Sequence, residues 1–273
     1  MITPPTWNHY LAASWNKYQP PIRPSVNEIE QFRELIVGNF SKLSDISILI
    51  LGSTPELRDL VSSLGVAPTI VDYSLENYLA LGSLCSQKHP EERYWNANWF
   101  EIQTSEHFDI VLAEASFNVV EYKALADLSK KVHELLSPRG LLITKIWIRN
   151  TDQQPDLENL LTIYRKVQTQ RDFYSATCLP LFLHFYHYSR ETISLRDFSQ
   201  NLEELYSRAV LTQAEWKTIA RHEYGNVDLA LCIPKRQDIL NIFSRYFTFE
   251  EERRDTVEYS KYHPIWSLRR KAQ

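Results

Sequence analysis

Glycine is scarce in this chain, with 6 among 273 residues, roughly a third of average usage. A phosphate-cradling loop built from several closely spaced glycines therefore has few places to stand. The three cysteines, Cys85, Cys178 and Cys232, are odd in number and widely spaced, with no Cys-x-x-Cys pair and no histidine at ligand spacing. That argues against a zinc centre or a disulfide framework. Positive charge is not in excess: 30 Lys and Arg stand against 34 Asp and Glu, a formal net charge of -4, so neither nucleic acid nor an acidic membrane surface is an expected partner. No apolar run approaches the ~18 residues of a bilayer span, and Met1 to Tyr18 lacks the basic segment and apolar stretch of an export signal. A cytoplasmic protein is the expectation. Motifs of zinc proteases, serine hydrolases and P-loop enzymes are also missing, as are fixed-period repeats and low-complexity tracts.

What is present is a globular composition, 44% hydrophobic and 23% charged. Residues 1–28 carry Trp7, Tyr10, Trp15 and Tyr18 beside Pro4, Pro5, Pro20, Pro21 and Pro24. They read as an arm packed on the rest, too aromatic for a disordered tail and too proline-rich for a long helix. Residues 29–150 alternate between helical and strand patterns. Ile29, Phe32, Leu35 and Ile36 fall at helical spacing, then Ile46 to Leu51 is a short β-branched run. Thr54, Pro55 and Glu56 open a helix with Leu57, Leu60, Val61 and Leu64 on one face. Pro68 to Asp72 is a strand, and Ser74 caps a helix with Leu75, Tyr78, Leu79 and Gly82 on its face. Phe108 to Ala113 and Leu141 to Ile148 are further apolar strands, separated by a helix lined by Leu125, Leu128, Val132, Leu135 and Leu136. Such alternation predicts an α/β fold with a doubly wound, mostly parallel seven-stranded sheet covered on both faces.

From Thr151 the rhythm becomes helical: Leu157, Leu160, Leu161 and Tyr164, then Leu195, Phe198, Leu202, Leu205 and Tyr206, then a capping box at Thr212 and Glu215. Residues 151–235 read as a helical insert that serves as a substrate lid. Residues 236–273 supply a last helix and two closing strands, Thr248 to Glu251 and Ile265 to Leu268, of the same single domain.

In a doubly wound sheet, ligands bind beyond the carboxyl ends of the strands, where the crossovers diverge. Here the first such end is Leu51-Gly52-Ser53-Thr54, and Asp72 ends the next strand twenty residues after Gly52. A carboxylate in that place can accept from both hydroxyls of a ribose. Only Gly52 stands in the turn, whereas a dinucleotide pyrophosphate needs three glycines for close backbone approach. A phosphate-free adenosine cofactor is favoured.

The segments Ile48 to Leu57, Val71-Asp72-Tyr73-Ser74, Ala97-Asn98-Trp99 and Phe108 to Leu112 resemble, in order and spacing, the successive motifs of class I S-adenosylmethionine-dependent methyltransferases. Leu135 to Leu142 is similar to the turn that precedes the family's fifth strand, with Arg139 in place of its first glycine. Trp15 to Pro24 is similar to the opening of a bacterial small-molecule subgroup. The resemblance covers about residues 7–148 and implies S-adenosyl-L-methionine as cofactor and a small-molecule methyl acceptor as partner. It further implies that the backbone at Gly52, Ser53 and Thr54 meets the methionine moiety at a helix N-terminus. Asp72 would hold the ribose and Tyr73 flank the adenine. Asn98 would bond the adenine edge and Trp99 stack on the ring. Glu114, Ala115 and Ser116 would lie beside the sulfonium, and Arg23 would pair with the cofactor carboxylate.

Other readings remain open at this stage. Asn98 and Trp99 fit core packing, Glu114 a helix start and Ser116 an N-cap. His184, Tyr186 and His187, in the aromatic run Leu181 to Tyr188, are candidate general bases for a hydroxyl or amine acceptor; the same run fits a seam packing the insert on the sheet. His133 has no assigned role. At the level of function, a cofactor-free scaffold retaining the methyltransferase shape follows from the glycine-poor turn, and a nicotinamide-dependent oxidoreductase from Asp72 alone.

Overall fold

The structure, a computed structural model, describes residues 10–166, 173–222, 224–226, 229–256 and 260–272. Trp7, Pro4 and Pro5 of the expected arm lie outside the described residues. The chain runs through α1 (Tyr10–Trp15), α2 (Val26–Asn39), β1 (Ile48–Leu51), α3 (Pro55–Ser63), β2 (Pro68–Asp72), α4 (Leu75–Gly82), β3 (Arg93–Asn96), β4 (Phe108–Glu114), α5 (Leu125–Leu135) and β5 (Leu136–Lys145). Then come α6 (Leu157–Lys166), α7 (Phe173–His184), β6 (Ile193–Ser194), α8 (Leu195–Ser207), α9 (Gln213–Ala220), β7 (Ala230–Leu231), α10 (Arg236–Phe243), β8 (Phe247–Arg253) and β9 (Ile265–Arg270).

Seven strands form one sheet in the order β3-β2-β1-β4-β5-β9-β8, and β6 pairs with β7 apart from it. β1 to β5 are mutually parallel, while β9 runs antiparallel to both neighbours. The order reverses at β1, which has β2 on one side and β4 on the other, so the crevice of the doubly wound sheet opens at the carboxyl ends of β1 and β4. Successive side chains of a strand point to opposite faces, and the two cores follow that alternation. Ile48, Ile50, Ile70, Ile110, Leu112, Leu141 and Ile143 pack with Phe32, Leu35 and Ile36 of α2 and Leu57, Leu60 and Val61 of α3. Leu49, Leu51, Val71, Val111, Ala113 and Leu142 pack on the other face with Leu125, Leu128 and Val132 of α5 and Ile239 and Phe243 of α10. Burial on both faces is why these strands read as unbroken apolar runs.

Several expectations change in detail. α2 begins at Val26, three residues before the apolar pattern, because Ser25 and Glu28 form a reciprocal capping box. Thr54 holds the N-cap position of α3, but its side chain makes no capping hydrogen bond. On α4 the expected face is rotated: Leu75 and Leu79 are 51% and 59% exposed, while Asn77, Tyr78 and Leu81 are buried. The arm causes this, because Trp15 and Tyr18 pack on Leu81. Gly82 lies against the buried Arg58, where a Cβ would come 2.8 Å from Nη2. β5 begins at Leu136, before the expected turn, with a register shift against β4 between Phe108 and Ile110. β3 is a polar edge strand that apolar periodicity does not reveal.

Between β5 and α10 the chain builds its own core from Phe173, Tyr174, Leu179, Phe182, Phe198, Leu202 and Ile233. Two polar side chains fasten this region to the sheet. Arg149, 1% exposed, donates to Glu191, Asp152 and the Ile233 carbonyl. Asn118, just past β4, donates from Nδ2 to the carbonyls of Trp147 and Cys232, both at 2.8 Å, and its Oδ1 accepts from the Trp147 N–H at 2.9 Å. Asn118→Ala removes three buried hydrogen bonds and leaves the backbone groups unpaired, so it is expected to lower stability by about 2–4 kcal/mol. A urea titration checks this through a lower midpoint with an unchanged slope.

Candidate functional site

A cavity of about 180 Å³ sits at the carboxyl ends of β1, β2 and β4 and is lined by Leu51, Gly52, Ser53, Thr54, Asp72, Tyr73, Trp99, Glu114, Ala115 and Ser116. Trp15 and Ile22 of the arm complete one wall. Gly52 takes φ +97°, a conformation that side chains oppose, and its N–H donates to the Val71 carbonyl at 2.9 Å. The chain can thus leave β1 sharply and enter α3 at Pro55, with the first-turn N–H groups near the cavity wall. Trp99 packs over the same turn, 3.8 Å from where a Gly52 Cβ would stand, held by Nε1–H donation to the Val71 carbonyl at 3.0 Å.

Asp72 is 7% exposed. Its Oδ2 accepts from Ser53 Oγ at 2.8 Å and its Oδ1 from the Ser74 N–H at 3.0 Å. Each oxygen has a second lone pair, which leaves the carboxylate able to accept two more donors. Burial raises its pKa above the ordinary value, against the lowering effect of those two donors and of Arg58. A pair of vicinal hydroxyls would supply the hydrogen bonds that burial withholds.

Behind β4 lies a buried charge cluster. The Lys145 side chain is fully buried, and Nζ stands 3.0 Å from Glu28 Oε2, 3.4 Å from Glu114 Oε1 and 3.0 Å from the Pro21 carbonyl. Burial opposes the charge on Glu28, but Lys145, His263 and the Ser25 N–H outweigh it and hold its pKa low. Glu114 differs. Burial dominates, Glu28 and Glu56 add repulsion, and the more distant Lys145 compensates only in part, so its pKa is pushed up to about 7. Oε1 of Glu114 has no hydrogen-bond donor in bonding geometry among the described residues.

The far wall of the cavity is aromatic and apolar: Trp147, Tyr174, Phe182, Leu195, Tyr224 and Ile233. Tyr174 donates its hydroxyl to Tyr224 at 2.9 Å. Trp147 is 7% exposed and its Nε1–H meets no acceptor among the described residues. No Lys or Arg side chain lines the cavity among the described residues.

The structure brings together most of the residues singled out in the sequence. Gly52, Ser53, Thr54, Asp72, Tyr73, Trp99, Glu114, Ala115 and Ser116 share the cavity. Ser116 is no N-cap; its hydroxyl donates to the Leu51 carbonyl at 2.8 Å and ties the ends of β4 and β1 together. Asn98 stands off the cavity, where it caps a short turn by accepting from the Phe100 N–H. Arg23 pairs with Glu56 at 2.6 Å rather than facing the cavity, and Trp15 Nε1–H donates to the same carboxylate.

The three candidate bases are elsewhere. His184 Nδ1 meets the Pro155 carbonyl at 2.8 Å, and the ring lines a second cavity beside Gln154 and Arg165. Tyr186 accepts from the Ile233 N–H and donates to Glu191, and burial raises its pKa far out of the working range. His187 is exposed. Their run mostly packs the added helices, with Phe182 alone of it reaching the cavity. His133 is buried against Tyr246 and Phe247, with Nε2 3.0 Å from the Lys271 carbonyl, and does not line the cavity. Sequence reading missed Glu28, Lys145, Trp147, Tyr174 and Tyr224. Ser25-x-x-Glu28 carried a capping-box signal for the first of these, and a lysine inside an apolar strand marked the second.

No family model and no curated protein matches the chain. Solved structures do share its fold. The CcbJ methyltransferase from Streptomyces caelestis is 14% identical with a TM-score of 0.59, over 97% of this chain and 99% of that one. A Rhodobacter sphaeroides protein provisionally named a zinc-dependent alcohol dehydrogenase is 16% identical with a TM-score of 0.59, over 97% and 100%. The N-methyltransferase NodS from Bradyrhizobium japonicum WM9, in complex with S-adenosyl-L-homocysteine, is 11% identical with a TM-score of 0.51, over 97% and 100%. At these identities the likeness is one of architecture: the chain has the Rossmann-like fold of class I methyltransferases.

The raised pKa of Glu114 has a consequence for stability. The folded state binds this proton more tightly than the unfolded chain, whose value is 4.5. The resulting stabilisation is complete below that value and is lost as pH rises through about 7. Glu114→Gln is therefore expected to gain stability relative to the wild type between about pH 5 and about pH 8, as measured by denaturant midpoints across a pH series.

Proposed function

We propose that the protein is an S-adenosyl-L-methionine-dependent methyltransferase acting on a small-molecule acceptor. The observation that carries this reading is Asp72, buried at the tip of β2 with lone pairs to spare, beside the Gly52 turn at the sheet's switch point. The sheet order and the antiparallel β9 favour it over a nicotinamide enzyme, because the dinucleotide-binding sheet keeps its sixth strand at the edge. So does the single glycine of the turn.

The residues present fit the cofactor. Asp72 would accept from the ribose hydroxyls, Trp99 and Tyr73 would flank the adenine, and the backbone after Gly52 would meet the methionine carboxylate at the N-terminus of α3. S-adenosylmethionine supplies a methyl group already activated on a sulfonium. What the protein must add is alignment and water exclusion, which intramolecular models value at up to ~7–11 kcal/mol. The arm covers one side through Trp15 and Ile22, and α7, α8 and the turn at Tyr224 bring much of the aromatic wall that would hold the acceptor. That wall is apolar and aromatic. An uncharged, partly apolar acceptor fits it. Glu114, with a pKa of about 7, replaces His184, Tyr186 and His187 as the group suited to take a proton from the acceptor.

Calorimetric titration with S-adenosylhomocysteine is expected to show stoichiometric binding, and Asp72→Ala to weaken it at least about tenfold without loss of far-UV circular dichroism. No heat and no thermal shift at millimolar ligand would sink the reading in favour of a cofactor-free scaffold. Protection by NADH and not by S-adenosylhomocysteine would favour the oxidoreductase.

A further inference from the structure

We propose that Asn77 is a ligand-binding residue whose side-chain amide donates a hydrogen bond to a ribose hydroxyl oxygen, opposite in sense to the bonds that Asp72 accepts. This rests on the methyltransferase reading above and adds to it a residue that grips the nucleoside from its lone-pair side.

The first turns of α4 are built inside out. Leu75 and Leu79 stand exposed, while Asn77, between them in sequence, is 4% exposed and lines the cavity. Apolar side chains outside and an amide inside reverse the arrangement that folding favours. Neither polar atom of the Asn77 amide has a hydrogen-bond partner among the described residues, yet neither is sealed away as Trp147 Nε1 is. The small surface the residue keeps is on the cavity wall. The helix does not need the side chain for capping either, because the Asn77 backbone N–H already donates to Ser74 Oγ at 3.1 Å. A buried amide without a protein partner marks a position kept for a ligand rather than for stability.

Its place relative to Asp72 is fixed by short-range bonds. Asp72 Oδ1 accepts from the Ser74 N–H at 3.0 Å, and Ser74 Oγ accepts from the Asn77 N–H. The acid at the tip of β2 and the amide in the first turn of α4 thus belong to one hydrogen-bonded turn and line one cavity. Leu81, one helical turn further on, continues the same wall beneath Trp15 and is apolar.

A ribose hydroxyl has one proton to give and two lone pairs to be met. A carboxylate only accepts, so Asp72 satisfies the protons and leaves the lone pairs without a donor. In a cavity that excludes water, those lone pairs are costly to leave unpaired. The Ser53 hydroxyl is committed to Asp72 Oδ2. The Asn77 amide brings two uncommitted N–H groups to the same end of the cavity.

Two substitutions separate the donor from the rest of the side chain. Asn77→Ala removes the amide without adding bulk, and Asn77→Asp keeps the outline but cannot donate. In isothermal titration of the intact protein with S-adenosylhomocysteine, each is expected to weaken binding about fivefold or more. Without ligand, Asn77→Ala should melt no lower than the wild type, because no protein hydrogen bond is lost and alanine is the better helix former. An asparagine kept for structure would show the opposite. The 2′-deoxy and 3′-deoxy analogues of S-adenosylhomocysteine locate the contact. For one of the two, the effect of Asn77→Ala should shrink to within about twofold, as expected when the partner atom is already missing.

Wild-type affinity in Asn77→Ala or in Asn77→Asp, an undiminished effect with both analogues, or a lower melting point of ligand-free Asn77→Ala would overturn the inference while leaving the methyltransferase reading in place. Failure of the wild type to bind S-adenosylhomocysteine would overturn that reading and this inference with it.

Discussion

One ammonium group holds the site together. Lys145 ends the interior strand β5 with its side chain wholly inside the protein, and it reaches α2 through Glu28, β4 through Glu114 and the arm through the Pro21 carbonyl. A buried lysine costs several kcal/mol unless its partners are good, so these four segments must meet in register for any of them to be stable. The arm's place over the cavity follows from that constraint: Ile22, next to the anchored carbonyl, lines the wall. The same constraint sets the electrostatics. Lys145 stands closer to Glu28, which His263 also supports, and the less well served Glu114 lines the cavity.

The architecture was legible because its physics is local. Continuous β-branched runs such as Ile48 to Leu51 and Ile110 to Leu112 announce strands buried on both faces, and the helices between them carry their apolar residues at helical spacing. Gly52 and Asp72 were legible for a related reason, since the end of a parallel strand is a position that sequence can mark. Ser25 and Glu28 carry a capping-box signal as well, passed over because the apolar pattern of α2 starts later.

What sequence did not disclose depends on contacts between distant segments. Arg23 reads as a ligand contact and Glu56 as a first-turn residue of α3, and the structure spends them on each other. The histidines of the aromatic run looked chemical because their neighbours were unusual, but the neighbours are there to build a second core around Phe182 and Phe198. Leu75 and Leu79 have the right spacing for a buried face, yet the arm packs on Leu81 instead. Trp147, Tyr174 and Tyr224 meet only because β5, α7 and the turn before β7 converge on one cavity. No periodicity signals that convergence.

The saturated amide of Asn118 separates what this scaffold must keep from what it is free to vary. It asks the added helices for a single carbonyl, that of Cys232, and asks nothing of their side chains. A lineage could remodel the acceptor wall, lengthening or replacing the segment between the sheet and that carbonyl, without disturbing the strand ends that grip a nucleoside. Substrate range and cofactor grip would then evolve on separate clocks.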